Sequence, residues 1–365
     1  MPTIEEKIEE IENEIKETPY NKATQHHIGK LKAKLAELRE TLIKKRAKKS
    51  FAGFSIKKTG DATVVLVGFP SVGKSTLLNK LTDASSKTAE YDFTTLNVIP
   101  GMMNLNGARI QVLDIPGIIS GASSGKGRGK EVLSIVRNAD LILILLDVLQ
   151  TEQLYTIEKE LYEAGIRMNE KPPKVRIKKT TKGGISVVFS RRHTRIDQRT
   201  VREILSVNGI HNAIVTIHDD INDEQFIDAV MGNRVYIPGI IALNKIDVID
   251  SKKLKEIRSK IGRETIPISA EKGTNLDRLR NEIFRRLHIM RIYMKPQGRE
   301  PDFKEPLIVK KGSTVGDVCE KLHKDFKKRF RYAIIWGKSA RFKAQKTGFG
   351  HVLEDGDVLS IVTKR

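Results

Sequence analysis

The segment Gly68-Phe69-Pro70-Ser71-Val72-Gly73-Lys74-Ser75-Thr76 fits the pattern G-x-x-x-x-G-K-[ST]. Before it, Thr63-Val64-Val65-Leu66-Val67 is a β-branched run of the length of a buried strand. After it, Thr76-Leu77-Leu78-Asn79-Lys80-Leu81 opens like a helix. Strand, glycine loop and helix together let backbone N–H groups and a helix N-terminus converge on one anion. In that arrangement Lys74 reaches the outer phosphates of a nucleotide and the Ser75 hydroxyl takes a place on Mg²⁺. The plain alternative is a glycine turn ahead of an ordinary helix, and the segments that follow exclude it.

Ala108-Arg109-Ile110-Gln111-Val112-Leu113 reads as a strand running into Asp114-Ile115-Pro116-Gly117. A carboxylate at the carboxyl end of a strand, beside a phosphate loop, is placed to hold the hydration shell of Mg²⁺. Gly117, with no Cβ, can bring its N–H close to a γ-phosphate. Leu141 to Leu146 and Ile240 to Leu243 are further apolar strand runs, and the second ends in Asn244-Lys245-Ile246-Asp247. An Asp carboxylate only accepts hydrogen bonds, and guanine offers two adjacent N–H donors that adenine lacks, so Asp247 selects guanine. Ile266-Pro267-Ile268-Ser269-Ala270 supplies a strand and a turn whose backbone meets the base oxygen. Between these, Tyr91-Asp92-Phe93-Thr94-Thr95-Leu96 has no clear period and reads as a loop. The expected fold is α/β, a mostly parallel sheet with helices on both faces.

The 365 residues carry 66 Lys+Arg against 45 Asp+Glu, a net charge of +21. Such a field suits a polyanionic partner, RNA above all, or else a lysine-rich surface kept for solubility. Cys319 is the one cysteine, so no internal disulfide exists and a reducing compartment is expected. The histidines show no metal-ligand spacing, and no apolar run approaches the ~20 residues of a membrane span. The cytoplasm is the expected location and no membrane is involved.

Outside the nucleotide motifs the chain divides by composition. Residues 1–48 place Ile4, Ile8, Ile11 and Ile15, then Ile28, Leu31, Leu35, Leu38 and Leu42, at helical spacing, predicting two helices packed as a hairpin. The hairpin either presents a partner or RNA surface, given the basic block Lys44 to Lys49, or braces the next domain. Residues 151–233 read as a basic α/β insert. Its β-hairpin pairs Val175–Lys178 with Ile185–Phe189 around Lys182-Gly183-Gly184, and RNA contact or a solvated face both account for its charge. Residues 293–365 order strands around one helix, as in a small β-grasp fold. There Lys327 to Arg331 and Arg341 to Lys346 interleave charge with aromatic rings, which favours RNA.

These marks together resemble the developmentally regulated GTP-binding proteins, a branch of the Obg-like GTPases. They are the Gly68–Thr76 loop, Tyr91 to Leu96, Asp114 to Ile119, Gly125-Lys126-Gly127-Arg128-Gly129 and Arg234 to Pro238, and the resemblance spans the whole chain. It implies a GTPase domain over residues 60–150 and 234–292, interrupted by the insert and followed by a TGS domain. It implies Mg²⁺ bound through Ser75 and Thr95, hydrolysis of GTP to GDP, and a nucleotide-gated role on the ribosome or structured RNA, with a regulatory protein as a further partner. Phe93, Thr94 and Thr95 join the nucleotide site, with Lys74, Thr95, Asp114 and Gly117 carrying the chemistry. Ile118 stands where many small GTPases have a water-orienting glutamine, so turnover should be slow. Related GTPases of this kind hold K⁺ with an asparagine at the place of Ser71. The serine leaves open whether K⁺, Lys126, Arg128 or a partner completes the site. Two other readings remain: a GTP-gated scaffold whose hydrolysis is incidental, and an RNA-binding protein with a structural nucleotide site.

Overall fold

The computed structural model describes residues 3–21, 23–47, 59–82, 98–115, 129–192 and 194–364. The expectations placed on Phe93, Thr94, Thr95, Gly117, Ile118, Lys126 and Arg128 fall outside these. In chain order the elements begin with α1 (Ile4–Glu17), α2 (Gln25–Ala47), β1 (Ala62–Val67) and α3 (Lys74–Leu81). There follow β2 (Ile99–Leu105), β3 (Ala108–Asp114), α4 (Gly129–Arg137), β4 (Leu141–Asp147) and α5 (Gln153–Glu163). Next come β5 (Ile166–Met168), β6 (Val175–Lys179), β7 (Ile185–Phe189), α6 (Gln198–Val207), β8 (Ala213–Ile217) and α7 (Asp223–Met231). The chain continues through β9 (Val235–Ile237), β10 (Gly239–Asn244), α8 (Ser251–Ile261), β11 (Ile266–Pro267) and α9 (Leu276–Arg286). It closes with β12 (Ile289–Met294), β13 (Leu307–Lys310), α10 (Val315–Leu322), α11 (Lys324–Arg329), β14 (Phe330–Trp336), β15 (Gln345–Thr347) and β16 (Asp357–Thr363).

These elements form two compact units. One holds residues 54–164 and 237–365. Its first sheet has the order β11-β10-β4-β1-β3-β2, parallel throughout except for β2. β1 and β4 are buried along their whole length, as unbroken apolar strands in the middle of a parallel sheet must be. β2 joins β3 through Asn106-Gly107, both at positive φ, the two-residue turn whose twist matches paired strands. The same unit contains a five-stranded mixed sheet, β13-β12-β16-β14-β15, packed against α10 and α11. This β-grasp sheet opens at Ile289, earlier than the expected boundary at 293. Only Leu287 and His288 separate β12 from α9, so no glycine or proline marks the change. Ile308 of β13 is buried in the core of the nucleotide-domain sheet, so the two sheets share side chains.

The other unit joins residues 1–53 with 165–236. The insert therefore begins at Gly165 and not at 151. α5, with its buried stripe Leu154, Ile157 and Leu161, belongs with the parallel sheet. The predicted hairpin of β6 and β7 is not formed. β8 lies between them, antiparallel to β6 and parallel to β7. Ala213, Val215 and Ile217 of β8 are fully buried, whereas β6 and β7 are half-buried strands, so the most deeply buried strand is the central one. The Thr180–Gly184 link steps across its end. Thr180 donates to the Asn212 carbonyl, and Gly184 donates to Asn212 Oδ1.

α1 and α2 do pack together as the expected hairpin. Helix α2 also has a second packed face. Gly29 and Ala33 lie against α6, where a Cβ on Gly29 would come within 2.6 Å of Thr200 Cγ2. The hairpin thus braces the insert. Deeper in this unit the Arg167 guanidinium grips both oxygens of Asp228, at 2.6 and 2.8 Å, and Arg234 adds a third contact at 2.8 Å.

Candidate nucleotide site

Parallel strands deliver their carboxyl ends to one edge of the sheet, and the site is assembled there. The loop leaving β1 is shaped by its glycines. A Cβ on Gly68 would strike the Leu145 carbonyl at 2.5 Å. Gly73, at φ +95°, faces the Asn244 amide, where a Cβ would again come to 2.5 Å. Ser71 also holds positive φ, at 63°, although it is not glycine. Pro70, Ser71, Ser75 and Thr76 are exposed, while Val72 anchors the loop in the core. Phe69 packs partly buried against that core.

Lys74 leads α3 and curls its ammonium back over the loop, donating to the carbonyls of Gly68 and Phe69, each at 3.0 Å. Burial lowers its pKa, and the Asp114 carboxylate partly opposes that. Ser75 donates from its hydroxyl to Asp114 Oδ2 at 2.8 Å. Asp114 Oδ1 is buried and has no hydrogen-bond partner among the described residues. A hydroxyl and a carboxylate, with one buried acceptor left over, are hard oxygen donors of the kind Mg²⁺ and its water shell require. The residues present fit that ion.

Asn244, at the end of β10, is 2% exposed and serves the architecture. Its Nδ2 donates to the Val72 carbonyl at 2.8 Å, and its Oδ1 accepts the Ala270 N–H at 2.9 Å. One side chain thus fixes the phosphate loop to the turn after β11. The Ala270 N–H that donates to Asn244 belongs to the turn whose backbone is expected to meet a base oxygen. Lys245, at φ 64°, extends across the loop and donates to the Ser71 carbonyl at 2.9 Å and to Asp147 at 2.8 Å. Asp247 presents its carboxylate near Lys272, at 3.8 Å. The Ser269 hydroxyl holds that carboxyl below the ordinary range.

Asp147 is the residue of this cluster that sequence reasoning missed. It ends β4 directly opposite Asn244 in the strand register, and its Oδ1 caps the Leu149 N–H. The available signal was the one used for Asp114, an Asp closing an apolar strand run. Among the described residues no cluster of three or more His, Cys, Asp and Glu side chains is arranged to hold a metal. No described helix is long and apolar enough to cross a membrane.

A parallel sheet whose strand ends gather a phosphate loop, a carboxylate beside its serine and the Asn244-Lys245-Ile246-Asp247 segment has the fold of a P-loop GTPase domain. Comparison with known proteins agrees. Residues 63–179 match the family described as 50S ribosome-binding GTPase, residues 182–289 the C-terminal region of that domain, and residues 290–363 the TGS domain. An uncharacterised GTP-binding protein of Methanocaldococcus jannaschii is 56% identical, over 99% of this chain and 93% of that protein. Developmentally-regulated GTP-binding protein 1 of Xenopus laevis is 46% identical, over 98% of each. A solved YchF GTPase of Schizosaccharomyces pombe is 16% identical with a TM-score of 0.46, over 84% of this chain and 99% of that one. The 46% and 56% identities to these two GTP-binding proteins along the full length place the chain in the developmentally regulated GTP-binding protein family. It is a GTP-binding protein with a C-terminal TGS domain.

Proposed function

We propose that this protein hydrolyses GTP to GDP and phosphate with slow intrinsic turnover. The difference between the two bound states then controls its engagement of the ribosome or structured RNA in the cytoplasm. The observation that carries the reading is the buried, unpartnered Oδ1 of Asp114 beside the Ser75–Asp114 hydrogen bond. Ser75 and Thr95 would hold Mg²⁺ with Asp114 on its water shell, and the ion would supply neutralising charge for the phosphates. Lys74 exchanges its two carbonyl partners for phosphate oxygens. Asp247 accepts from the guanine edge, while Lys245 and Asn244 keep the loop in shape. The family resemblance assigns Thr95 and Gly117 to the γ-phosphate, and a chain with Ile118 in place of the glutamine has no side-chain amide to orient the attacking water, hence the slow rate.

Support for the RNA side comes from the net charge of +21 and from the family description naming the 50S ribosome. The regulatory protein partner remains part of the proposal, since a site lacking the glutamine gains most from a group supplied in trans.

Single-turnover hydrolysis in Mg²⁺ tests the chemistry. Asp114→Asn should lower the rate at least tenfold while GDP binding changes little, and an unchanged rate would remove Asp114 from the mechanism. The same assay with K⁺ replacing Na⁺ at constant ionic strength reads the cation route. Acceleration by K⁺ that is lost in Ser71→Ala supports a cation at Ser71, and indifference to K⁺ ends that idea. Co-sedimentation with ribosomes in GTP-analogue, GDP and empty states tests the gating, which equal binding in all three would rule out.

A further inference from the structure

Side chains alternate across a strand, so each face of the β-grasp sheet can be read from its register. In β14, Ala333 and Ile335 turn inward and are fully buried. Tyr332, Ile334 and Trp336 therefore share the opposite face, where each is half-buried. Across this face Tyr332 pairs with Val362, Trp336 with Val358, and Ile334 with Lys346. Tyr293 of β12 sits opposite Val358 and extends the row. At the β13 end the same face is consumed, because Ile308 enters the nucleotide-domain core. Toward β14 and the edge strand β15 it is open.

Cations sit on the open part. Lys346 Nζ lies 4.0 Å from the centroid of the Tyr332 ring, and Lys295 Nζ lies 5.8 Å from that of Trp336. The loop between β14 and β15 adds Arg341 and Lys343 around Phe342, which is 65% exposed. Flat apolar rings, one under the Lys346 ammonium and one beside Lys295, whose ammonium also donates to the Arg299 carbonyl at 2.7 Å, match a polyanion that carries flat apolar units of its own. Unpaired RNA is such a ligand: its bases stack on aromatic rings and its phosphates take lysines. Duplex RNA hides the faces of its bases and an acidic peptide has none, so neither uses both features. Tyr332 and Trp336, four residues apart on one strand, are separated by about 13 Å, the reach of a few splayed nucleotides.

We propose that the open face of the TGS sheet binds a single-stranded segment of RNA, with bases stacked on Tyr332 and Trp336 and phosphates held by Lys346 and Lys295. The proposal rests on the RNA reading above and adds to it the form of the RNA and the surface. On binding, Lys346 leaves the Tyr332 ring for a phosphate and yields the ring to a base.

Trp336 is the single tryptophan of the chain, so its emission reports on this face alone. The full chain is titrated with a labelled eight-nucleotide RNA strand, with the same strand annealed to its complement, with heparin and with polyglutamate, following both anisotropy and tryptophan fluorescence. The single strand should bind and quench Trp336, while the other three leave its emission unchanged. Tyr332→Ala should weaken the single strand about tenfold. Tyr332→Phe, which keeps the ring, should bind like the original and excludes misfolding as the cause. A single strand that binds without quenching, a Tyr332→Ala variant that binds normally, or quenching by polyglutamate in place of RNA would each overturn the proposal. Ribosome co-sedimentation separates this failure from a wider one. If ribosomes are retained while Trp336 is silent, only this surface falls; if no RNA or ribosome binds at all, the RNA reading falls with it.

Discussion

Asn244 and Asp247 stand three positions apart, and the fold puts them to opposite uses. The Asn244 amide is buried and fully engaged between the Val72 carbonyl and the Ala270 N–H. Asn244→Ala leaves both backbone groups buried without partners, a loss of about 3 kcal/mol. Denaturant unfolding should show that loss before any nucleotide is added. Asp247→Asn should leave unfolding unchanged and alter only which base is bound. GTP weakens strongly while xanthosine triphosphate, whose carbonyl accepts from the new amide, improves. Because the Ser269 hydroxyl holds the Asp247 carboxyl below its ordinary range, guanine binding should persist as pH falls through the usual carboxylate range and fail only below it. Unaltered base preference in Asp247→Asn would remove the residue from the site. The motif N-K-x-D was legible in the sequence, but the sequence lists its side chains without their partners. It therefore could not say that the Asn holds the loop, or that Asp147 waits beneath Lys245.

Helix α2 shows what a stripe of large residues hides. Its leucines announced a hairpin, and α1 is indeed there. The tighter contact lies on the face with Gly29 and Ala33, where the absence of side chain lets α6 approach. Periodicity detects what is bulky, and a small-residue face leaves no such trace. The same blindness affected β6 and β7. Their alternation was readable, but the partner that separates them, β8, lies more than twenty residues further along the chain. The α2–α6 contact can be tested by a pair of changes. Gly29→Ala should gain about 1 kcal/mol of helix propensity in isolation. In the fold its Cβ meets Thr200 Cγ2, so a net destabilisation is expected. Thr200→Ser removes that methyl. The double variant should therefore be more stable than Gly29→Ala alone, a positive coupling in a double-mutant cycle followed by thermal unfolding. Additive effects would mean that the two helices do not meet there.

Across the whole chain, the nucleotide domain and the TGS domain are bound together more closely than their sequence boundary suggested. Ile308 of the TGS sheet lies in the core of the parallel sheet, 2% exposed. Gly107, at φ +82°, leaves room for Pro306, where a Cβ would come to 2.4 Å. Lys321 of α10 reaches Asp61 at 3.6 Å, an exposed pair of small worth beside the apolar contact. Two domains with one shared core should unfold together, and Trp336 makes that visible, because it reports on the TGS sheet while the proposed nucleotide loop, Gly68–Thr76, lies far along the chain. A ligand that binds only the folded state stabilises whatever unfolds with its site, by about 2.7 kcal/mol at a hundred times its dissociation constant. GDP should therefore raise the midpoint of the Trp336 unfolding transition. Ile308→Ala should lower stability by about 2–4 kcal/mol and also shrink the GDP-induced shift seen by Trp336, since it removes the side chain that joins the cores. If GDP shifts the unfolding of the nucleotide domain and leaves the Trp336 transition where it was, the two domains fold independently and the shared core transmits nothing.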